Sequence, residues 1–226
     1  MNGFVSWLQQ LQFGALIDMV LLVAASVLSI TVHETCHGLA AYKLGDPTAK
    51  NAGRLTLNPL RHIDIMGLVL MAVAKFGWAK PVPIDARYFK DPKKGMALTA
   101  LAGPVSNVLL AFLALLVRSL LLVLYLRRGE SAILLYALDF TAYIAIISAG
   151  LAVFNLFPIP PLDGSKVLFA VLPVNAWLKL MRYERYGMLV LAVLLLTGLL
   201  DAPLSFLRGG LLSALEFVAS LPLRLL

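Results

Sequence analysis

Apolar residues fall along this chain in long blocks. The first covers about residues 14–42, interrupted by Asp18 and by a polar cluster at 33–37. A second, IMGLVLMAVAKFGW at 65–78, is short. A third, about 96–126, contains Gly103, Pro104 and Asn107, and a fourth, about 132–157, stops at Pro158. A fifth covers about 186–200, and the tail 203–226 is apolar at many helical positions but carries Arg208, Glu216 and Arg224. Helices need about 20 apolar residues to cross hydrocarbon, and uninterrupted runs near that length are read as crossing helices. The pattern predicts an all-α polytopic membrane protein with about five to six transmembrane helices, the tail either a sixth span or a helix lying in the interface. There is no internal repeat, low-complexity segment or flexible linker.

Composition agrees. Of 226 residues, 61% are hydrophobic and only 14% charged, with a mean hydropathy of +0.89, whereas soluble domains run nearer half and a quarter. The apolar blocks leave no room for a soluble domain, so residues 1–226 read as one membrane domain. The net charge of +7 is carried by short loops between blocks, where it orients helices and meets anionic lipid; no nucleic-acid partner is expected. The single cysteine, Cys36, excludes an intrachain disulfide framework. The first 42 residues hold no Lys or Arg, so the basic start of a cleavable leader is not expected.

The loop after the first block carries Lys43, Lys50, Arg54 and Arg61, which places residues 43–64 in the cytoplasm and the N-terminus outside. The loop at 79–94 is also basic, with Lys80, Arg87, Lys90, Lys93 and Lys94. The block between them would be roughly 21 Å long as a helix, too short for a comfortable crossing. Residues 65–85 are therefore expected to form a re-entrant segment, extended near its end, that returns to the cytoplasmic side. The third block then runs out and the fourth back, leaving Arg127 and Arg128 outside and 166–185 cytoplasmic.

Against this apolar background stands SITVHETCHGLAAYKLG, residues 29–45. HExxH on a helix puts two imidazoles one turn apart on one face, so His33 and His37 can hold one metal ion while Glu34 stays free as a base. Zinc in such a setting makes water acidic enough to lose a proton near neutral pH and polarises a carbonyl. With three histidines and four glutamates in the chain, chance makes this match on the order of one time in a thousand. Ionisable residues at membrane depth are functional by default. Cys36 reads as a small helix residue.

A zinc hydrolase needs a third protein ligand. Glu130, Glu184 and Glu216 have no setting that suggests one, and His62 lies in a basic loop, where a solvated or interfacial residue is expected. Asp163 in NLFPIPPLDGSKV (155–167) is the better candidate. Three prolines unwind the backbone before it, which membranes tolerate where the chain lines a cavity. A Pro-rich run followed by Asp-Gly is also an ordinary interfacial turn, but here it faces the same side as HETCH.

These residues resemble the site-2 protease family of intramembrane zinc metalloproteases, and within it the compact prokaryotic group without a PDZ domain. HETCH (33–37), TLNPLRHIDIMG (56–67), FGWAKPVPID (76–85), ALAGPVSN (100–107) and NLFPIPPLDG (155–164) carry the resemblance, in the family's order. It implies one Zn²⁺ per chain held by His33, His37 and Asp163, Glu34 as catalytic glutamate, and cleavage of a transmembrane protein or peptide. The catalytic core would span about 14–167, with C-terminal helices at about 186–226. The chain would sit in a prokaryotic plasma membrane with its site toward the cytoplasm; oligomeric state is open.

Two asparagines are candidates for stabilising the oxyanion of the tetrahedral intermediate. Asn155 resembles the family's motif asparagine, and Asn107 closes GPVSN; for both, helix–helix hydrogen bonding is the alternative. In FGWAKPVPID, Lys80-Pro81 and Val82-Pro83 favour extended backbone. Residues Lys80, Pro81, Val82 and Pro83 could pair with an unwound substrate by strand addition, or form a stiff interfacial loop anchored by Trp78. Two other functions compete. A zinc peptidase of prenylated proteins pairs HExxH with a later glutamate or histidine, which is not found here. A metal-binding transporter would show repeats and dispersed polar residues.

Overall fold

The computed structural model describes residues 13–62, 64, 67, 80–129 and 131–221. Every regular element among them is helical. In order they are α1 (Phe13–Lys43), α2 (Thr48–Asn51), a 3-10 turn at Pro59–Arg61, a second at Ala86–Tyr88, α3 (Pro92–Arg128), α4 (Ala132–Asn155), α5 (Asp163–Val171), α6 (Val174–Leu196) and α7 (Asp201–Ala219). Among the described residues, four helices are long and apolar enough to cross a membrane: Gly14–Lys43, Pro92–Arg128, Ala132–Asn155 and Asp201–Ala219. The chain is an all-α polytopic membrane protein.

Local chemistry sets the helix ends. Asp91 caps α3 by accepting from the Lys94 N–H (3.1 Å), with Pro92 in the first turn. Gly129, at φ +83°, ends α3 and donates its N–H to the Tyr125 carbonyl. The prolines at 158, 160 and 161 forbid continuation of α4, which stops at Asn155. Residues 156–162 are unwound as expected, and a new helix opens at Asp163.

The core is a three-helix unit of α1, α3 and α4, with α5 laid on α3 and α7 against α3 and α4. Its packing inverts the rule for water. The inward face of α3 is small or polar, with Ala100, Gly103, Asn107, Ala111 and Ala114 buried. Its outward face is large and apolar: Val105, Leu109, Leu113, Val117 and Leu120 are all about half exposed. Lipid is as apolar as leucine, so large side chains gain nothing by turning inward; small ones let the backbones approach. Ala145, Ala149 and Ala152 do this on α4. Between α1 and α4 the hydroxyls of Ser29 and Ser148 meet at 2.8 Å, and Ser29 also donates to the Ala25 carbonyl.

One boundary differs from the sequence expectation. The fifth block belongs to α6, which starts at Val174 and carries Lys179, Arg182, Glu184 and Arg185 ahead of the block. The tail helix, α7, expected as a span or an interfacial helix, is long and apolar enough to cross. Of the expected re-entrant segment, 65–78 lies outside the described residues apart from Gly67, and Trp78 with it. Residues 80–85 form no helix.

The inverted packing has a measurable consequence. Ala149 is fully buried and Leu113 is 55% exposed. Ala149→Leu should destabilise the bundle by about 1–3 kcal/mol through overpacking, while Leu113→Ala should be nearly neutral. Thermal unfolding in detergent reads both; a larger loss from Leu113→Ala would contradict this packing.

Candidate metal centre

The two histidines of HETCH lie one turn apart on the inner face of α1, each 6% exposed. Their rings meet edge to face, with centroids 4.5 Å apart, and their Nε2 atoms are 2.9 Å apart. Asp163, the first residue of α5, brings Oδ2 to 3.2 Å from His33 Nε2 and 3.0 Å from His37 Nε2. Among the described residues this trio is the group of His, Cys, Asp and Glu placed to share a metal ion.

The chemistry of the three donors fits zinc. Tetrahedral zinc with bonds near 2.0–2.1 Å separates its ligand atoms by about 3.3 Å, close to the spacings seen here. His37 Nδ1–H donates to the Thr99 carbonyl at 2.7 Å; a carbonyl only accepts, so the neutral ring keeps its lone pair on Nε2, facing the other two donors. The second carboxylate oxygen of Asp163 lies 3.4 Å from Lys166 Nζ, leaving Oδ2 toward the imidazoles.

Two glycines allow the approach. A Cβ on Gly103 would collide with His37 Nε2 and lie 2.6 Å from His33 Cε1, so α3 reaches the rings only with a bare backbone there. A Cβ on Gly164 would overlap the Leu156 carbonyl, so the Asp-Gly pair is what lets α5 fold back against the end of α4. The requirement in both cases is space; neither has a positive φ.

Glu34 lies beside the histidines without joining the trio. Its Oε2 accepts from the Val82 N–H at 2.9 Å. A cavity of about 290 Å³ is lined by His33, Glu34, His37, Pro81, Val82, Ile84, Asn155, Asp163 and Lys166, among others. Of the proposed strand, Pro81 and Val82 line this cavity, while Lys80 and Pro83 are exposed and outside its lining. The segment is held at both ends. Buried Arg54 donates to the carbonyls of Lys80 and Pro81, the latter at 3.1 Å; the Lys80 N–H donates to the His62 carbonyl, and the Asp85 N–H to Asp46 Oδ2.

Asn155 reaches the cavity wall, its amide donating to the Leu151 carbonyl of its own helix at 3.0 Å. Asn107 does not line the cavity. It is fully buried behind His33, with Nδ2 3.2 Å from His33 Nδ1, on the side of the ring away from Asp163. An oxyanion donor must face the substrate, so Asn107 is withdrawn from that role. His62 is also corrected. It is 1% exposed, and its ring Nε2 lies 2.8 Å from the Thr56 carbonyl; backbone pairing, not solvent, accommodates it. Sequence reasoning missed Arg54, Thr99, Gly103 and Lys166. Gly103 stands inside one of the family-like motifs, whereas Arg54 and Lys166 read from sequence only as loop charge.

Comparison with known proteins bears on this geometry. Residues 119–198 match Peptidase family M50. YwhC of Bacillus subtilis strain 168, which carries a zinc metalloprotease name, is 41% identical over 181 residues, covering 79% of this chain and 81% of its own. Rip2 of Mycolicibacterium smegmatis, named in the same way, is 30% identical over 192 residues, 80% of this chain and 69% of its own. MJ0611 of Methanocaldococcus jannaschii is 34% identical over 160 residues, 69% and 72% of the two chains. No solved structure is a significant match. With two imidazoles and a carboxylate converged on one point and this extent of likeness, the chain belongs to peptidase family M50, the site-2 proteases, and is a zinc metalloprotease.

Proposed function

We propose that the chain is an endopeptidase that cleaves transmembrane segments of other membrane proteins within the bilayer, from a site open to the cytoplasmic side of a prokaryotic plasma membrane. The observation that carries this is the depth of the trio. His33 and His37 lie inside a helix long and apolar enough to cross a membrane. His33 is ten residues, roughly 15 Å along the axis, before Lys43, the first cation after the apolar block and the natural marker of the cytoplasmic interface.

His33, His37 and Asp163 would hold the ion. Bound there, zinc supplies Lewis acidity toward a carbonyl oxygen and toward water. The chain's own groups do the rest. The Glu34 carboxylate takes the proton of the attacking water and returns it to the leaving nitrogen. The Val82 N–H fixes one carboxylate oxygen of Glu34, leaving the other for the proton. Asn155, on the cavity wall, is the candidate donor to the oxyanion. A helix hides its scissile bonds, so the substrate must be unwound, and 80–84 offers a template for it. Pro81 and Pro83 lack N–H groups, and Arg54 occupies the carbonyls of 80 and 81. The Val82 carbonyl and both backbone groups of Ile84 have no partner among the described residues, which supports strand addition there. The substrate would be a transmembrane protein or peptide, with lipid as surroundings, and residues 1–226 would act as one domain.

Glu34→Gln should retain zinc and lose activity by about 100- to 10,000-fold, read by cleavage of a panel of single-span substrates in detergent; near-normal cleavage would reject Glu34 as the base. Changing His33, His37 or Asp163 to Ala should each lower zinc content in metal analysis, and full zinc in Asp163→Ala would move the third ligand elsewhere. For depth and sidedness, cysteines placed singly at 80–85 and next to 163 in a Cys36→Ser background should react with an impermeant thiol reagent from the cytoplasmic face of oriented vesicles. Reaction from the opposite face alone would overturn the topology.

A further inference from the structure

Asn107 is a fully buried side chain in contact with a metal-site imidazole, and the reaction above does not use it. It extends from α3 to the Nδ1 side of His33, 3.2 Å away. Its amide oxygen, Oδ1, is buried with no hydrogen-bond partner. A buried carbonyl left unpaired loses its hydration without compensation, so this contact is half made. With the amide nitrogen toward Nδ1, the imidazole must accept there, and a neutral ring would then carry its proton on Nε2. That is the atom facing His37 and Asp163, where a ligand needs a lone pair.

A half-turn of the amide exchanges its oxygen and nitrogen with almost no change of shape. Oδ1 then accepts from His33 Nδ1–H, and Nε2 is left with its lone pair toward the ion. The amide N–H groups then take the buried place that Oδ1 held. His37 already shows this arrangement, since its Nδ1–H donates to the Thr99 carbonyl of the same helix. Asn107 and Thr99 are eight residues apart on α3, and Gly103 midway between them is where the rings pack against bare backbone. One face of α3 thus backs both imidazoles.

We infer that Asn107 is a positioning residue for the metal: its side-chain oxygen accepts from His33 Nδ1–H, fixing the tautomer and orientation that leave Nε2 free to ligate. This rests on the reading of His33 as a ligand. Acceptors behind metal-bound histidines typically contribute 10- to 100-fold to affinity.

The test is zinc affinity of the full chain in detergent, by competition with a chromophoric chelator, for wild type, Asn107→Leu, Asn107→Asp and His33→Ala. Asn107→Leu, which removes the acceptor at similar volume, should bind zinc about 10- to 100-fold more weakly. Asn107→Asp, which can only accept, should bind within about threefold of wild type or tighter. Leu binding like wild type, or Asp losing as much as Leu, would overturn the inference. His33→Ala keeps the two failures apart: normal zinc in that variant would reject His33 as a ligand, whereas a loss there beside unchanged Asn107→Leu rejects only the role of Asn107. Should the Leu variant not fold, the zinc-loaded wild type still decides. A hydrogen-bonded His33 Nδ1–H should give a downfield, slowly exchanging proton signal, altered in Asn107→Asp, and its absence would refute the contact.

Discussion

Two imidazoles and a carboxylate sit within 3.2 Å of one another inside a bundle whose outer surface is hydrocarbon. Polar groups at that depth persist only when something holds them, and lone pairs aimed at a common point need a cation between them. Much of the surrounding structure answers this constraint. The unwound turn at 156–162 exists to deliver Asp163, and Gly164 exists so that the turn can close against α4. Gly103 exists so that α3 can come near enough to back the rings. The small inner faces of α1, α3 and α4 serve the same end, since helices crowded by leucines could not bring α1 and α3 so close.

The base and its surroundings follow a different logic. Glu34 is held by a backbone N–H of the extended segment, and that segment is held by Arg54, His62 and Asp46. All three lie between the end of α1 and residue 62, not in the crossing helices. Metal positioning is thus a property of the bundle, while positioning of the base is shared with the polar layer beside it. Disturbing Arg54 or Asp46 would shift Glu34 and Val82 together and leave the metal donors in place.

How far this was legible in the sequence depends on the range of each relationship. HExxH could be read outright, because helix geometry alone puts residues 33 and 37 on one face. Asp163 could be nominated because three prolines and an Asp-Gly announce an unwound turn. The spans of α1, α3 and α4 came within a few residues, since apolar length is a local property. The start of α6 was not legible for the opposite reason: the fifth block marks only its second half, and hydropathy does not reveal where a helix begins when the first half is charged. The clamp of Arg54 on two carbonyls and the place of Asn107 behind His33 both depend on partners 20 to 80 positions away. No local pattern encodes such pairings, so Arg54 looked like loop charge and Asn107 like an oxyanion donor.

The two sides of the metal site come from distant parts of the chain: His33 and Asp163 are 130 residues apart in sequence. An ion held between them is a cross-link as well as a Lewis acid, tying α1 to α5 across a very long loop. Such a link stabilises the folded chain in proportion to the logarithm of free metal above its dissociation constant. Metal supply would then govern how long the protein survives in the membrane as well as how fast it works, and its unfolding midpoint would rise with free zinc.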